Sequence, residues 1–518
     1  MSNAALHLSG TGRALAARLL RWLFCLLLVV VVVPSGSVDF NVLHPVAAGF
    51  FGLALLGTII GGHNRSIRSA YAITLSVALV IGLWIVIQAS SIAGNPFANP
   101  IWADAERFYG PMAQSISVSP GDTFQGLIAA LLPFSAFMTV LLIFQNDKDA
   151  VNLIRFFVVS GCAICVVALL QFLLFPGMLL FVPKKFYLDS LTAVFVNRNT
   201  AATYLAMVMI FSGGLAFHSL QNAGFVSFIR FLINSNHKTR RSDALLVIFY
   251  VTTFALALTA LMLTKSRAGI AAGITGSCVT GMILAYYGGQ SATHSYHRGF
   301  SRPRTSLIAR LMRVGLVLLA MMSVGLVFGG QAIVRAGVQG TGDVRFCFLP
   351  TLIDMTRDNW LVGTGFGTFR DVFPAYRDPA CGGFELFLSL AHNFYLEGWI
   401  SLGLPFVITA LIVVAALIHN LFIGLRERRR YRWIPAAGLG VLTLHLLHNS
   451  VDFSIQNPGV GVMFAALMAA TVVIARGRST KSKRSEILAT EEPPGPNDDD
   501  QRSTRGSVEI QVLGGPAT

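Results

Sequence analysis

Charge is what this chain has least of. Only 12% of its 518 residues are Asp, Glu, Lys or Arg, whereas 54% are hydrophobic. A soluble domain carries about 25% charged residues, so a large share of the polypeptide is unsuited to water. The mean hydropathy of +0.66 agrees. Acidic residues are scarcer still, 24 against 39 Lys and Arg, for a net charge of +15. The six cysteines show no metal-ligand spacing. Cys25, Cys162, Cys165 and Cys278 lie in apolar runs, where even the Cys162-x-x-Cys165 pair reads as packing. Cys347 and Cys381 share one polar loop. They can form a disulfide if that loop faces an oxidising compartment, although spacing alone does not set their distance. No internal repeat is evident. No small-x-small cleavage site follows the first apolar run, which is therefore read as a retained helix despite Arg13, Arg18 and Arg21 before it.

What the chain does have is apolar runs. A membrane-crossing helix needs about 20 apolar residues. Such runs fall at 20–36, 45–62, 70–89, 123–145, 151–175, 199–218, 244–264, 268–288, 314–333, 397–422, 434–450 and 458–475. The fold predicted is an all-α polytopic membrane protein of about twelve transmembrane helices, with the membrane domain over 1–476 and a Ser-, Thr-, Pro- and Asp-rich tail over 477–518 that reads as disordered and cytoplasmic.

The basic residues set the topology. With the N-terminus in the cytoplasm and the runs alternating, 28 of the 39 Lys and Arg fall on the inner side and 11 on the outer side. That is the positive-inside bias of an inner-membrane protein. It accounts for the positive charge without nucleic acid and puts both termini in the cytoplasm. The longest outer segment, 334–397, is too long for a simple connector. Within it Phe346, Leu349, Ile353 and Trp360 approximate a helical stripe, which predicts a short amphipathic helix on the membrane surface. The outer loop 90–122, with Trp102, Phe108 and Tyr109, is a second interfacial cap.

Five polar clusters fall on that outer side. Lys265 and Arg267 stand in Thr264-Lys265-Ser266-Arg267-Ala268-Gly269, a short turn between long apolar runs. Cations at such a depth either snorkel to the interface or meet an anionic partner. Asn197-Arg198-Asn199 opens the sixth run, where Asn caps helices well. Arg345 precedes Gly363-Thr364-Gly365-Phe366-Gly367-Thr368-Phe369, whose glycines suit a tight turn or, less specifically, a phosphate cradle. His392-Asn393-Phe394-Tyr395-Leu396-Glu397 carries a histidine able to act as a base near neutral pH. Asp452, in His448-Asn449-Ser450-Val451-Asp452-Phe453, either ends a helix or orients a partner.

Together these motifs, in this order and with the large loop ahead of His392, resemble the O-antigen ligase and polymerase superfamily of bacterial envelope glycosyltransferases, over residues 195–475. The resemblance implies a donor glycan on undecaprenyl diphosphate at the periplasmic face. The acceptor would be the lipid A core for a ligase, or a growing glycan for a polymerase, with membrane lipids around the protein and no nucleic acid. It matches Arg267, Arg345 and His392 to the family's catalytic positions.

The chemistry of the residues agrees. Breaking a sugar–diphosphate bond builds charge on the leaving group. Arginines answer that with bidentate, charge-assisted bonds, and no outer acidic cluster offers a divalent-metal site. The expectation is metal-independent, cofactor-free, inverting transfer. Arg267 and Arg345 grip the diphosphate and His392 takes or positions the acceptor proton, while Lys265, Arg198, Asn197, Asn199, Asn393 and Asp452 bind substrate around them. O-antigen ligation is the first reading and O-antigen or exopolysaccharide polymerisation the second. A polysaccharide transporter or flippase is the rival from another class, although transporters place polar residues at mid-membrane and these lie at one end.

Overall fold

In a bilayer every backbone N–H and C=O must be satisfied within the protein, so apolar runs of this length form helices. A computed structural model describes residues 10–61, 64–92, 94–233, 241–287, 312, 315, 347–381 and 388–477. Its long helices are α1 (Gly10–Val32), α2 (Phe40–Ile60), α3 (Arg68–Ala89), α5 (Pro120–Ile143), α6 (Asp147–Leu174), α7 (Arg198–Ala223), α9 (Arg241–Leu263), α10 (Arg267–Tyr287), α14 (Leu404–Glu427) and α16 (Pro458–Arg476). Among the described residues these ten are long and apolar enough to cross a membrane. A shorter apolar helix, α15 (Trp433–His448), stands beside them. The protein is thus an all-α polytopic membrane protein. The expected run 314–333, Arg345 and the tail beyond Gly477 lie outside the described residues.

Short helices fill the connections: α4 (Ile101–Tyr109), α8 (Phe225–Ile233), α11 (Leu349–Asp358), α12 (Phe369–Tyr376) and α13 (Phe394–Leu402). A two-residue hairpin pairs β1 (Met178–Leu179) with β2 (Val182–Pro183) between α6 and α7. Local chemistry sets the starts. Asn146 caps α6 through the Asp149 N–H, Asn197 caps α7 through the Asn199 N–H, and Asn393 caps α13 through the Tyr395 and Leu396 N–H groups. Proline occupies the first turn of α5, α14 and α16, where its missing N–H costs nothing.

Two helices form the interior. α7 and α16 are 83% and 89% buried over their apolar windows, against 39% or less for the other spans. Their sequences explain it, because both are apolar or small on every side. α7 packs on α6, α9, α10 and α15, and α16 on α1, α5, α6 and α14. Small residues let backbones approach, the usual device of helix pairs in lipid. Where α10 crosses α15, a Cβ on Gly276 would lie 2.5 Å from the Gly440 carbonyl oxygen.

One expectation about helix limits changes. The run 397–422 is two helices rather than one. The Gly403 N–H closes α13 on the Trp399 carbonyl, and Gly403 then turns the chain at φ +68° before α14 restarts with Pro405. A Cβ there would meet the Leu361 carbonyl oxygen at 2.4 Å, so glycine is required twice over. The expected amphipathic helix forms as α11, and its apolar residues divide between two sides. Leu349, Ile353 and Trp360 are open, while Phe348, Leu352 and Met355 face inward. Phe346 lies outside the described residues. The inward face joins Phe369, Phe373, Ala391 and Ile400 in a small core separate from the membrane bundle. Cys347 and Cys381 are joined by a disulfide across that cap, with Cα atoms 5.7 Å apart.

Candidate functional site

The starts of α7 and α10 and the ends of α9 and α15 meet at one end of the bundle, and a buried hydrogen-bond chain joins them. Asn199, in the first turn of α7, is its hub. Its Nδ2 donates to Asp452 Oδ1 at 2.7 Å, and its Oδ1 accepts from Ser266 Oγ at 2.7 Å. Ser266 Oγ in turn accepts the Gly269 N–H at 3.3 Å. Ser454 Oγ donates to the other Asp452 oxygen. One turn along α7, Thr203 Oγ1 pairs with His448 Nδ1 at 2.7 Å. Asn199, Ser266, Thr203, His448 and Asp452 are all buried. Satisfied networks of this kind hold their members in one arrangement.

This network fixes the Lys265–Arg267 turn. Lys265 adopts φ +54°, an uncommon conformation for a residue with a Cβ. Arg267 then opens α10, whose start is pressed against α7 and α15: a Cβ on Gly269 would stand 2.6 Å from Ala202 Cβ and 3.3 Å from His448 Cε1. Lys265 Nζ bonds Asp189 at 3.0 Å. Its hydrogen bond draws the Asp189 carboxyl below the usual carboxylate range. Arg198 lies over the Tyr187 ring, 5.2 Å from its centre, and donates to Ser190 Oγ at 3.4 Å. The hairpin segment before α7 thus supplies partners for two of the expected cations, which the sequence reading did not anticipate.

The His392 loop approaches from the cap. The Phe394 N–H donates to the Asn449 carbonyl at 3.0 Å, so α13 is hooked to the end of α15. The His392 ring meets Phe453 edge-on with centroids 4.9 Å apart, and its backbone stands at φ +53°. Asn393 spends its side chain on capping α13. Glu397, 6% exposed, accepts the Ala391 N–H at 2.7 Å. Burial pushes its carboxyl up to about 7, against the opposing pull of the Ala391 and Gln456 hydrogen bonds.

The structure therefore brings together Asn197, Arg198, Asn199, Lys265, Arg267, His392, Asn393 and Asp452 at one end of the helices. The glycine-rich segment 363–369 belongs elsewhere. Its Thr364 and Gly365 N–H groups donate to the Ile400 and Ser401 carbonyls, at the opposite end of α13 from Asn393. Two of its glycines serve close packing: a Cβ on Gly363 would lie 2.3 Å from the Ser401 carbonyl oxygen, and one on Gly365 would lie 2.4 Å from Ser117 Oγ. Sequence reasoning also passed over Thr203, Ser266 and Ser454, because a hydroxyl in an apolar helix carries no signal until its partner is known.

A polytopic helical membrane protein with basic and polar side chains held at one end of its bundle is the class that fold and site define. Residues 252–411 match the family model described as O-antigen ligase, so this part of the chain is similar to that family, which supports the ligase and polymerase superfamily. The match includes the Lys265–Arg267 turn and the His392 loop, and leaves out Asn199 and Asp452, which join them. No curated protein matches the chain.

Proposed function

We propose that the protein is an O-antigen ligase of the inner membrane, transferring a glycan from undecaprenyl diphosphate to a hydroxyl of the lipid A core at the periplasmic face. The observation that carries this reading is the buried chain from Ser266 through Asn199 to Asp452, which ties the Arg267 turn to the segment under the His392 ring. The acceptor oxygen attacks the anomeric carbon, and the bond from that carbon to the diphosphate oxygen breaks. The electron pair leaves with undecaprenyl diphosphate, and the acceptor proton passes to His392. One such displacement inverts the anomeric centre.

Arg267 neutralises charge on the leaving diphosphate. Its place at the start of α10 adds the positive end of a helix dipole to a planar, bidentate cation. Arg345 is proposed as the second diphosphate ligand, supported by the family resemblance alone. Lys265, Arg198, Asn197, Asn199, Asn393 and Asp452 line or brace the substrate site. The Cys347–Cys381 disulfide supports an oxidising, periplasmic location for the cap, and the placement of Lys and Arg along the sequence supports cytoplasmic termini. Because guanidinium groups carry the charge stabilisation, transfer proceeds without a metal, and a strong chelator leaves the rate unchanged; loss of activity on chelation contradicts that step.

A gel of lipopolysaccharide from a deletion strain tests the acceptor. Loss of all long glycan from lipid A is expected of a ligase. A single capped repeat means polymerisation instead, and an unchanged ladder overturns both.

A further inference from the structure

Glu397 is a buried carboxyl that the transfer scheme leaves unused. It sits in the first turn of α13, where its Oε2 accepts the Ala391 N–H at 2.7 Å. The Gln456 side-chain amide donates to the same carboxyl. These two partners bracket the imidazole. Ala391 immediately precedes His392. Gln456 closes the 3-10 turn Ser454–Gln456 that follows Phe453, and the Phe453 ring meets His392 edge-on. His392 itself stands at φ +53°, which a residue with a Cβ keeps only when its surroundings impose it. Asn393 and the Phe394 N–H anchor the chain after His392. Glu397 is the side chain that anchors it before.

We propose that Glu397 is a positioning residue for His392: by accepting the Ala391 N–H and pairing with Gln456 it holds the loop in the left-handed turn that sets where the imidazole stands. The inference rests on the role given to His392 above. The requirement is for hydrogen bonds, not charge. Gln456 Oε1 is buried and has no hydrogen-bond partner among the described residues. A glutamine at 397 therefore accepts from Ala391 through its carbonyl and donates to Gln456 through its amide. A leucine fills the same space and strands both neighbours.

The test uses the full chain in detergent, with Glu397→Gln and Glu397→Leu beside the parent. Two readouts are taken: hydrogen–deuterium exchange of the peptide holding residues 391–396, and glycan-transfer kinetics. Exchange in the leucine variant is expected to accelerate about tenfold or more, with kcat falling on the same scale and KM for the donor within about twofold. The glutamine variant should match the parent in both. Gln456→Met, which removes the partner from the other side, is expected to shift both readouts in the same direction and decides the matter if the leucine variant does not fold. Parental exchange and kcat in the leucine and methionine variants overturn the proposal. So does a glutamine variant as inactive as the leucine variant, since that result makes Glu397 a proton-transferring catalytic group. A parent without transfer activity overturns the ligase reading, while the exchange measurement still decides the positioning role.

Discussion

Asn199→Ala strikes the hub of the polar network. The change removes two side-chain hydrogen bonds of 2.7 Å, to Asp452 and from Ser266, and leaves both partners buried. A buried group deprived of its partner costs about 1–3 kcal/mol. Ser266 keeps the Gly269 N–H and Asp452 keeps the Ser454 hydroxyl, so each loss falls in the lower half of that range. The summed cost is therefore about 3 kcal/mol. Reversible unfolding in mixed micelles reads this as a lowered midpoint at unchanged slope. The double variant with Ser266→Ala sharpens the test. Once the Ser266 hydroxyl is gone, the Asn199 side chain has one partner fewer to lose, and the two changes should fall short of additivity by about 1 kcal/mol. A loss below about 0.5 kcal/mol, or strict additivity, refutes the reasoning.

Three further outcomes are expected. Gly276→Leu forces a side chain into the α10–α15 crossing, 2.5 Å from a carbonyl oxygen, and should destabilise the protein by about 3 kcal/mol in the same unfolding assay, or prevent folding altogether. Cys347→Ser with Cys381→Ser opens a loop whose ends are 34 residues apart; the chain-entropy estimate is about 4 kcal/mol at most, concentrated in the cap, so limited proteolysis between the two positions should accelerate while the bundle survives. Glu397 supplies a pH dependence. Its carboxyl rises from 4.5 unfolded to about 7 folded, so between those values the native state holds the extra proton and stability falls as pH rises, by about 3 kcal/mol over the window. Glu397→Gln should flatten that slope, as seen in unfolding midpoints from pH 4 to pH 8.

Much of the fold was legible because lipid imposes simple rules. The apolar runs marked the spans, and the placement of Lys and Arg put on one side the residues of four polar clusters that the structure brings to one end of the helices, those of Asn199, Lys265, His392 and Asp452. The division at Gly403 was not legible. A hydropathy run averages across a single residue, and only the Leu361 backbone opposite shows why the chain must turn there. The site was legible in part. His392, Lys265 and Arg267 stood out because charge or imidazole at a helix end is conspicuous. Spacing alone offers Asp452 as a helix end or an orienting group and Asn199 as a cap, and the resemblance adds both to the substrate site, whereas the two bond each other across 253 positions, a pairing that spacing cannot reveal. Lys265 was read as facing substrate, and its ion pair with Asp189 depends on how the segment between the hairpin and α7, 76 residues earlier, folds back. The glycine-rich segment carried the weakest signal, and its amides go to backbone carbonyls at the other end of α13.

The most direct test of the account is glycan transfer by the purified protein from undecaprenyl-diphosphate glycan to a lipid A core acceptor, run beside Arg267→Ala and His392→Ala. Transfer by the parent, and its loss in both variants with the fold retained, is the predicted result. Parental rates in either variant contradict the placement of the site, and a parent that transfers glycan to no acceptor contradicts the proposed function itself.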